Sequence, residues 1–333
     1  MSPIAAPFPW FGGKSCVAHL VWDALGDVEH YVEPFFGSGA VLLSRPHAPK
    51  VETVNDADGL LANFWRAVKA APEVVAAHAD WPTNEVDLHA RHLWLVGQRA
   101  SVTARMADPD DYDAKAAGWW VWGLCNWIGS GWCSGEGPWI AHEGALTDSR
   151  QLPHLSAGRG INRQLPHLSA GQGINRKLPH LSAGRGAFIL DWMQALSGRL
   201  RDVRVACGDW SRVCGPSVTR AGGGVCGVFL DPPYAQAERA DVYAYESGAA
   251  VEAREWCLAN GGDPALRIVL AGYAGEHDAL EVRGWRAVRW KARGGYGSQG
   301  DGRGRARAAR AAAGEDRARP VRRRRRRNRR RSV

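Results

Sequence analysis

The residues best suited to chemistry form one short run, Asp231-Pro232-Pro233-Tyr234, which follows the apolar residues Val228 to Leu230. The apolar residues predict a buried strand, and the two prolines end it because proline cannot donate a hydrogen bond to a sheet. A carboxylate and an aromatic ring therefore stand at the carboxyl end of a strand. In open α/β sheets this is the edge at which ligands bind.

This run suits the activation of a weakly nucleophilic amine. The exocyclic amino group of a nucleobase is conjugated with its ring, and acceptors for its two hydrogens favour the pyramidal form that can attack an electrophile. Asp231 and the carbonyl group of Pro232 can be those acceptors, and Tyr234 can stack on the base. The alternative is that Asp231 only caps a turn beside an incidental tyrosine, because short motifs recur by chance.

A second group of residues indicates a nucleotide-binding unit. Residues 30–43 predict a short strand that ends at Glu33, a loop that contains Gly37 and Gly39, and the start of an apolar helix. Glycines in such a loop let the backbone approach a ligand closely. Leu42 stands where a dinucleotide-binding fingerprint has its third glycine, which argues against NAD and for another adenosine-containing cofactor.

Asp56 follows the next predicted strand, Lys50 to Asn55, and precedes a predicted helix from Ala57 to Ala70. It lies about 20 residues beyond the glycines, which is the usual position of a carboxylate that binds ribose hydroxyls. A lone aspartate there would more often cap the helix. Together with the glycine loop, the ribose interpretation is favoured.

The amino-terminal segment contains Gly12-Gly13-Lys14-Ser15 but is not a phosphate-binding loop. Phe8 stands where the Walker pattern requires its first glycine. A turn that presents Trp10 and Lys14 to a ligand, ahead of a helix from about Cys16 to Leu25, remains open.

The bulk composition predicts a globular protein. The 333 residues suit one large or two ordinary domains, and 45% hydrophobic residues suffice for a core. No segment resembles a signal peptide, and no apolar run approaches the ~18 residues that cross a bilayer. The seven cysteines are odd in number and form no CxxC pair, which favours free thiols in a reducing cytoplasm over a disulfide or zinc framework.

The net charge of +9 is concentrated at the carboxyl end. Residues 301–333 contain fifteen arginines against Asp301, Glu315 and Asp316, a net charge of +12, so residues 1–300 carry −3. This segment combines arginine with alanine and glycine and shows no strand pattern. It is predicted to be disordered because it cannot bury enough apolar surface to fold.

The middle of the chain, residues 72–186, does not show alternating strands and helices. Residues 84–106 predict a helix, and residues 118–132 concentrate five tryptophans among glycines in a stretch too short to span a membrane. From residue 150 onward, a 13-residue unit occurs three times, the third copy being truncated. Its Arg, His and Ser side chains suit contacts with phosphates and base edges; the alternative is a flexible duplicated insertion that binds nothing.

The strand and helix pattern resumes after the repeats. Asp209 follows the first of the resumed strands. The expected elements are a helix over Phe188–Leu200, a strand over Val203–Cys207, a helix over Ser247–Asn260, a strand over Leu266–Tyr273 and one more strand over Trp285–Lys291.

Four motifs in this order resemble the DNA adenine methylase family, whose members methylate adenine N6 with S-adenosylmethionine. They are FPWFGGKS at residues 8–15, YVEPFFGSGAVLL at 31–43, VNDADGLLANFW at 54–65 and VFLDPPY at 228–234. The resemblance implies an α/β fold, with a Rossmann-like methyltransferase sheet that has helices on both faces.

The resemblance also implies a division of the chain. Residues 1–71 and 187–300 would form the S-adenosylmethionine-binding catalytic domain. Residues 72–186 would be an inserted target-recognition region, and residues 301–333 an Arg-rich disordered tail.

Carried over by position, the family's motifs assign a role to each candidate residue. Trp10 and Lys14 would contact the cofactor, and residues Glu33 to Gly39, which include Phe35 and Gly37, would surround its methionine portion. Asp56 would bind the ribose of the cofactor and Asp209 its adenine. Asp231, Pro232 and Tyr234 would hold the target base, and Asp231 would also lie next to the cofactor. The sulfonium methyl group is already a strong electrophile, so no metal is expected. Catalysis would come from alignment and from desolvation of a flipped-out adenine.

The implied partner is double-stranded DNA, and the implied protein is a cytoplasmic, DNA-associated monomer of bacterial or phage origin, without membrane contact. The recognition sequence and a restriction endonuclease partner are left open. Family members usually continue after residues 294–300 into a final apolar strand, which residues 301–333 do not provide. The tail is therefore either a DNA clamp or an out-of-frame ending. The alternatives to an active adenine methyltransferase are an inactive DNA-binding remnant and an enzyme acting on cytosine N4 or a protein glutamine.

Overall fold

The computed structural model describes residues 4–8, 10, 13–108, 110–127, 131–133, 139–142, 145–148, 185–233, 248–273 and 275–290. The predictions made for the repeats up to residue 184, for Tyr234 and for the tail from residue 301 lie outside these residues.

The described strands and helices before and after residues 72–186 follow the order that the sequence predicts. The strands are β1 His30–Glu33, β2 Val51–Asp56, β3 Trp139–His142, β4 Ala145–Asp148, β5 Val203–Cys207, β6 Cys226–Leu230 and β7 Leu266–Leu270. The helices are α1 Ala18–Leu25, α2 Ala40–Leu43, α3 Gly59–Ala70, α4 Pro72–Ala79, α5 Glu85–Arg105, α6 Ala114–Asn126, α7 Arg185–Leu200, α8 Pro216–Thr219, α9 Ala249–Asn260 and α10 Asp278–Glu281.

Five of the strands form one parallel sheet in the order β5-β2-β1-β6-β7. Val32 of β1 pairs with Val228 of β6, and Glu33 pairs with Val54 of β2. The chain builds outward from β1 through β2 to β5 and then returns to the other side of β1 with β6. The carboxyl ends of β1 and β6 therefore flank the topological switch point.

Helices cover both faces of this sheet, as predicted. Side chains alternate between the faces along each strand: Tyr31 and Phe229 contribute to the core that contains α1 and α3, whereas Val32 and Val228 contribute to the core that contains α9 and α10. Every residue of β1 and β6 is buried, as is expected for central strands of a parallel sheet.

Helices α4, α5 and α6 share the core of the first face. Val75, Leu95 and Trp120 from these helices pack in one hydrophobic cluster with Trp65 of α3 and Met193 of α7. The amino-terminal part of the predicted insertion is therefore joined to the sheet through α3 by apolar packing. That residues 72–186 recognise the target stays a prediction.

The strand expected over Trp285–Lys291 is wrong for the part that the structure describes. Residues 285–290 have no strand geometry. The Trp285 backbone N–H donates to the carbonyl oxygen of Leu280 over 3.2 Å, and its ring lies beside Gly261 at the end of α9. Trp285 thus closes the turn after α10 and packs against the end of α9.

The seven cysteines, which all lie in described parts of the chain, form no disulfide with one another, and five of them are buried. Separately, none of the helices within the described ranges combines the length and the apolar composition needed to cross a bilayer.

Candidate active site

The candidate site lies at the carboxyl edge of the sheet. Glu33 ends β1, Asp56 ends β2, and Asp231 directly follows β6. The switch point between β1 and β6 opens at this edge, where parallel sheets bind their ligands. The fold therefore brings to one edge acidic residues from three separate stretches of sequence.

An ion pair joins the first and the last of the sequence motifs. Lys14 Nζ donates to Asp231 Oδ2 over 2.6 Å, although the two residues are 217 positions apart. The Lys14 side chain is only 4% exposed, whereas that of Asp231 is 20% exposed. A charge-assisted hydrogen bond that is shielded from water is strong and directional. Lys14 therefore fixes the orientation of the Asp231 carboxylate.

Glu33 is buried near this ion pair. Its Oε2 accepts a hydrogen bond from the Tyr31 hydroxyl group over 2.9 Å. Burial raises the pKa of Glu33 well above its ordinary value, and the negative charge of Asp231 raises it further. These shifts favour a neutral Glu33, which leaves Asp231 as the carboxylate that balances the charge of Lys14.

The loop after β1 has backbone conformations that favour glycine. Gly37 has a φ of 48° and Gly39 a φ of 67°, both in the left-handed region. A Cβ atom on Gly37 would lie 2.6 Å from Nε1 of Trp10, so the indole ring of Trp10 packs directly against the loop. Trp65 Nε1 donates to the Gly37 carbonyl oxygen over 3.1 Å. Trp10 and Gly37, both predicted to contact the cofactor, are therefore neighbours.

Asp56 connects this loop to the turn before α3. Its Oδ2 accepts from the backbone N–H of Gly37 and its Oδ1 from that of Asp58, each over 3.0 Å. Burial raises the pKa of Asp56 to about 6. The cap of α3 is Asp58, which accepts from the Leu60 N–H, so Asp56 is not the helix cap. Its contact with a ribose stays a prediction.

Asn55 is a member of the site that the sequence patterns did not single out. Its Nδ2 donates to the carbonyl oxygens of Pro34 and Gly208, each over 3.0 Å. The Gly208 N–H donates in turn to the Asp56 carbonyl oxygen over 3.0 Å. Asn55 thus links the ends of β1, β2 and β5 by hydrogen bonds. The sequence signal that could have identified it is its position beside Asp56, at the end of a predicted strand.

Asp209 lies at the exposed end of β5. Its carboxylate accepts from the Ser211 N–H over 2.9 Å and caps a short 3-10 helix, Trp210–Val213. Trp210 stacks on Phe35 with ring centroids 5.7 Å apart and an interplanar angle of 28°. Phe35 and Asp209, both predicted to contact the cofactor, are therefore connected through Trp210.

The turn after β6 is anchored to the neighbouring strand. The Leu230 carbonyl oxygen accepts from the Ala271 N–H over 2.8 Å, and Pro232 is buried. Tyr234 lies outside the described residues, so its stacking on a base stays a prediction.

Trp290 is an aromatic residue at the site that the sequence patterns did not predict. Its ring centroid lies 5.9 Å from Lys14 Nζ, and the residue is 37% exposed. No local signal marks it, because its partner lies near the other end of the chain. Its partly open ring offers a stacking surface beside the ion pair.

Comparison with known families agrees with this geometry. Residues 10–85 match the family model described as D12 class N6 adenine-specific DNA methyltransferase. The match includes Trp10, Lys14, Glu33 and Asp56 and ends before Asp231. A search of the curated proteins finds no match. The family match confirms the resemblance to the DNA adenine methylases over residues 10–85, the part of the chain that is similar to D12 class N6 adenine-specific DNA methyltransferases.

Proposed function

We propose that this chain transfers a methyl group from S-adenosylmethionine to N6 of an adenine flipped out of double-stranded DNA. The observation that carries the proposal is the 2.6 Å ion pair between Lys14 and Asp231 at the switch point of the sheet. The pair supports an oriented carboxylate after β6, the strand that pairs with β1, and the glycine loop follows β1. Methyl transfer requires that the target amine and the electrophilic methyl group of the cofactor meet next to such a carboxylate.

The loop after β1 fits a cofactor that must approach the backbone closely. Gly37 and Gly39 have left-handed backbones, and a side chain on Gly37 would collide with Trp10. Glu33 at the end of β1 and Asp56 at the end of β2 lie at the same edge of the sheet. When bound, S-adenosylmethionine supplies a strongly electrophilic methyl group, with Trp10, Phe35, Asp56 and Asp209 as its further contacts.

Asp231 and the Pro232 carbonyl group act on the target amine. Together they accept hydrogen bonds from the two N6 hydrogens, which withdraws the nitrogen lone pair from the ring and directs it at the methyl group. A carboxylate offers about four lone-pair sites, so Asp231 can bind Lys14 and an amine hydrogen together. Two aromatic residues stack on the base. Tyr234 follows Asp231 closely in the sequence, and the Trp290 ring lies near Lys14 Nζ.

The barrier is lowered mainly by alignment and by removal of water from the amine. Extruding the base from the duplex costs a few kcal/mol. Contacts from residues 72–186 to the surrounding DNA offset this cost and set the sequence preference.

Incubation of the full chain with methyl-labelled S-adenosylmethionine and unmethylated DNA tests this function. We expect label in N6-methyladenine after the DNA is digested to nucleosides. Label in N4-methylcytosine, or label in protein rather than DNA, would assign a different acceptor. DNA binding without any label would identify an inactive remnant.

A further inference from the structure

Arg99 of α5 links the cofactor edge to a segment of the predicted insertion. Its Nη1 donates to Asp58 Oδ1 over 3.0 Å, and its Nη2 donates to the Cys133 carbonyl oxygen over 2.8 Å. The Asp58 N–H in turn donates to Asp56, which holds Gly37. A continuous path of hydrogen bonds therefore connects the glycine loop with residue 133.

Cys133 has a strained backbone that α5 holds at both of its polar groups. Its φ of 57° is the one left-handed value among the non-glycine residues that the structure describes, a conformation that costs about 1–3 kcal/mol. The Cys133 N–H donates to His92 Nδ1 over 3.2 Å, and the Cys133 carbonyl group accepts from Arg99. Burial lowers the pKa of His92 to about 4, so its ring is neutral and able to accept at neutral pH.

Aromatic packing fixes the same segment from its other side. The His92 ring stacks on Trp127 with centroids 4.9 Å apart and planes 13° apart, and Trp132 Nε1 donates to the Trp120 carbonyl oxygen over 3.1 Å. Strain of this kind persists only where the surroundings over-determine it, and it clusters at functional sites.

We infer that Arg99 is a positioning residue, which sets the Trp132–Cys133 segment against the Asp56–Asp58 turn so that bound DNA meets the cofactor edge in register. This inference rests on the proposed function, because it assigns the segment to the DNA side of the reaction. Arg99 acts through its hydrogen bonds to the Asp58 carboxylate and to the Cys133 carbonyl oxygen. It touches neither the methyl group nor the target base.

Arg99→Met in the full chain tests the link without any ligand. It should accelerate amide hydrogen exchange at Cys133 by about tenfold, the value of one hydrogen bond from a charged donor. Arg105→Met is the matched control, because Arg105 lies on the same helix but pairs with Asp113 and Asp111. Unchanged exchange at Cys133 in Arg99→Met, or equal acceleration in the control, would overturn the inference.

Steady-state methylation provides the functional readout. Arg99→Met should raise KM for unmethylated duplex DNA about tenfold and change kcat by less than about threefold, as expected when binding rather than the chemical step is affected. Asp58→Asn should shift KM in the same direction and remains informative if Arg99→Met does not fold, because asparagine caps a helix as well as aspartate does. A fall in kcat with unchanged KM would contradict the positioning role.

Failure of the proposed function and failure of the role inferred for Arg99 give different experimental results. A wild-type protein that binds DNA but transfers no methyl group would overturn the proposed function. The exchange experiment still decides whether Arg99 holds Cys133, because it needs neither cofactor nor DNA.

Discussion

The Lys14–Asp231 pair places one cation against the candidate catalytic carboxylate. Lys14 is almost completely shielded from water, and Asp231 is the more open partner. Glu33 is driven toward its neutral form by burial, so the charge of Lys14 is directed at Asp231. The arrangement predicts that Lys14 is needed for the orientation of Asp231 rather than for the overall fold alone.

Lys14→Met should therefore slow methyl transfer by roughly 10–100-fold, the equivalent of a charge-assisted hydrogen bond of about 1.5–3 kcal/mol. Single-turnover rates at saturating cofactor measure this effect. Lys50→Met is the control, because Lys50 forms only partly exposed ion pairs with Glu29 and Asp27 that contribute little. Equal rates for wild type and Lys14→Met would show that the ion pair does not serve the reaction.

Asp56 predicts a pH dependence of cofactor binding. Its pKa is raised to about 6 by burial, and its ionised form accepts from both Gly37 and Asp58. Protonation removes acceptor capacity, so affinity is full above the raised pKa and should fall as pH drops below about 6, by up to about tenfold per pH unit. Calorimetry with S-adenosylhomocysteine from about pH 5 to 8 measures it. Asp56→Asn should flatten the profile; an unchanged profile in this variant would assign the titration to another group.

At the scale of elements, the glycine loop after β1 has a restrictive geometry at the site itself. Gly37 combines a left-handed backbone with close contact to Trp10. Gly97, in the middle of α5, has open space around the position of a Cβ atom. The same substitution at the two sites therefore separates loop geometry from a general effect of alanine.

Gly37→Ala should lower S-adenosylhomocysteine affinity at least about tenfold and lower the free energy of unfolding, because the new Cβ adds both strain and a collision. Gly97→Ala should leave affinity unchanged and raise the free energy of unfolding by up to about 1 kcal/mol through helix propensity. Calorimetry and denaturant unfolding provide the two readouts. Normal affinity in Gly37→Ala would contradict the role given to the loop.

Local patterns predicted most of the elements that form the edge of the sheet. Short runs that contain apolar residues and lie close to glycine or proline marked β1, β2, β5, β6 and β7 to within a few residues. The apolar run of β6 gave the clearest signal, because buried parallel strands read as continuous apolar segments. The same patterns misassigned residues 285–290. There a sequence that combines apolar residues with arginines follows a turn, where Trp285 contacts Leu280 and Gly261.

The contacts of the site lay beyond local patterns. Lys14, Asp56 and Asp231 were singled out individually. Asp56 at the end of β2 and Asp231 after β6 share one edge of the sheet, and Lys14, in the segment before α1, reaches Asp231 there. The pairing of Lys14 with Asp231, the joining role of Asn55 and the bridge made by Arg99 depend on residues far apart in sequence. Periodicity reports which face of an element is buried, but it does not report which side chains of distant elements meet.

At the scale of the whole molecule, charge is divided unequally along the chain. Residues 301–333 carry +12, and the remainder of the chain carries −3. If the tail contacts DNA phosphates, it supplies much of the non-specific affinity, because the acidic remainder has no net attraction for DNA. Each phosphate neutralised adds about −0.9 to the slope of log affinity against log salt concentration.

Truncation after Gly300 should then flatten the salt slope by several units and weaken binding to every DNA sequence alike, while sequence preference is retained. Binding titrations at several salt concentrations, with full-length and truncated protein, measure both quantities. An unchanged slope in a folded truncation would mark the tail as a passive ending. Loss of folding would instead mean that the tail contributes to the folded domain.

We propose that Asp231 acts on the target amine at this edge of the sheet, and single-turnover methyl transfer by Asp231→Ala tests this role most directly. With saturating S-adenosylmethionine and unmethylated DNA, the wild type should form N6-methyladenine, and the variant should do so at least about 100-fold more slowly, as is usual when one catalytic hydrogen-bonding group is lost. S-adenosylhomocysteine binding should be largely retained. A variant that keeps more than about a tenth of the wild-type rate would contradict the assignment of Asp231 as the catalytic acceptor.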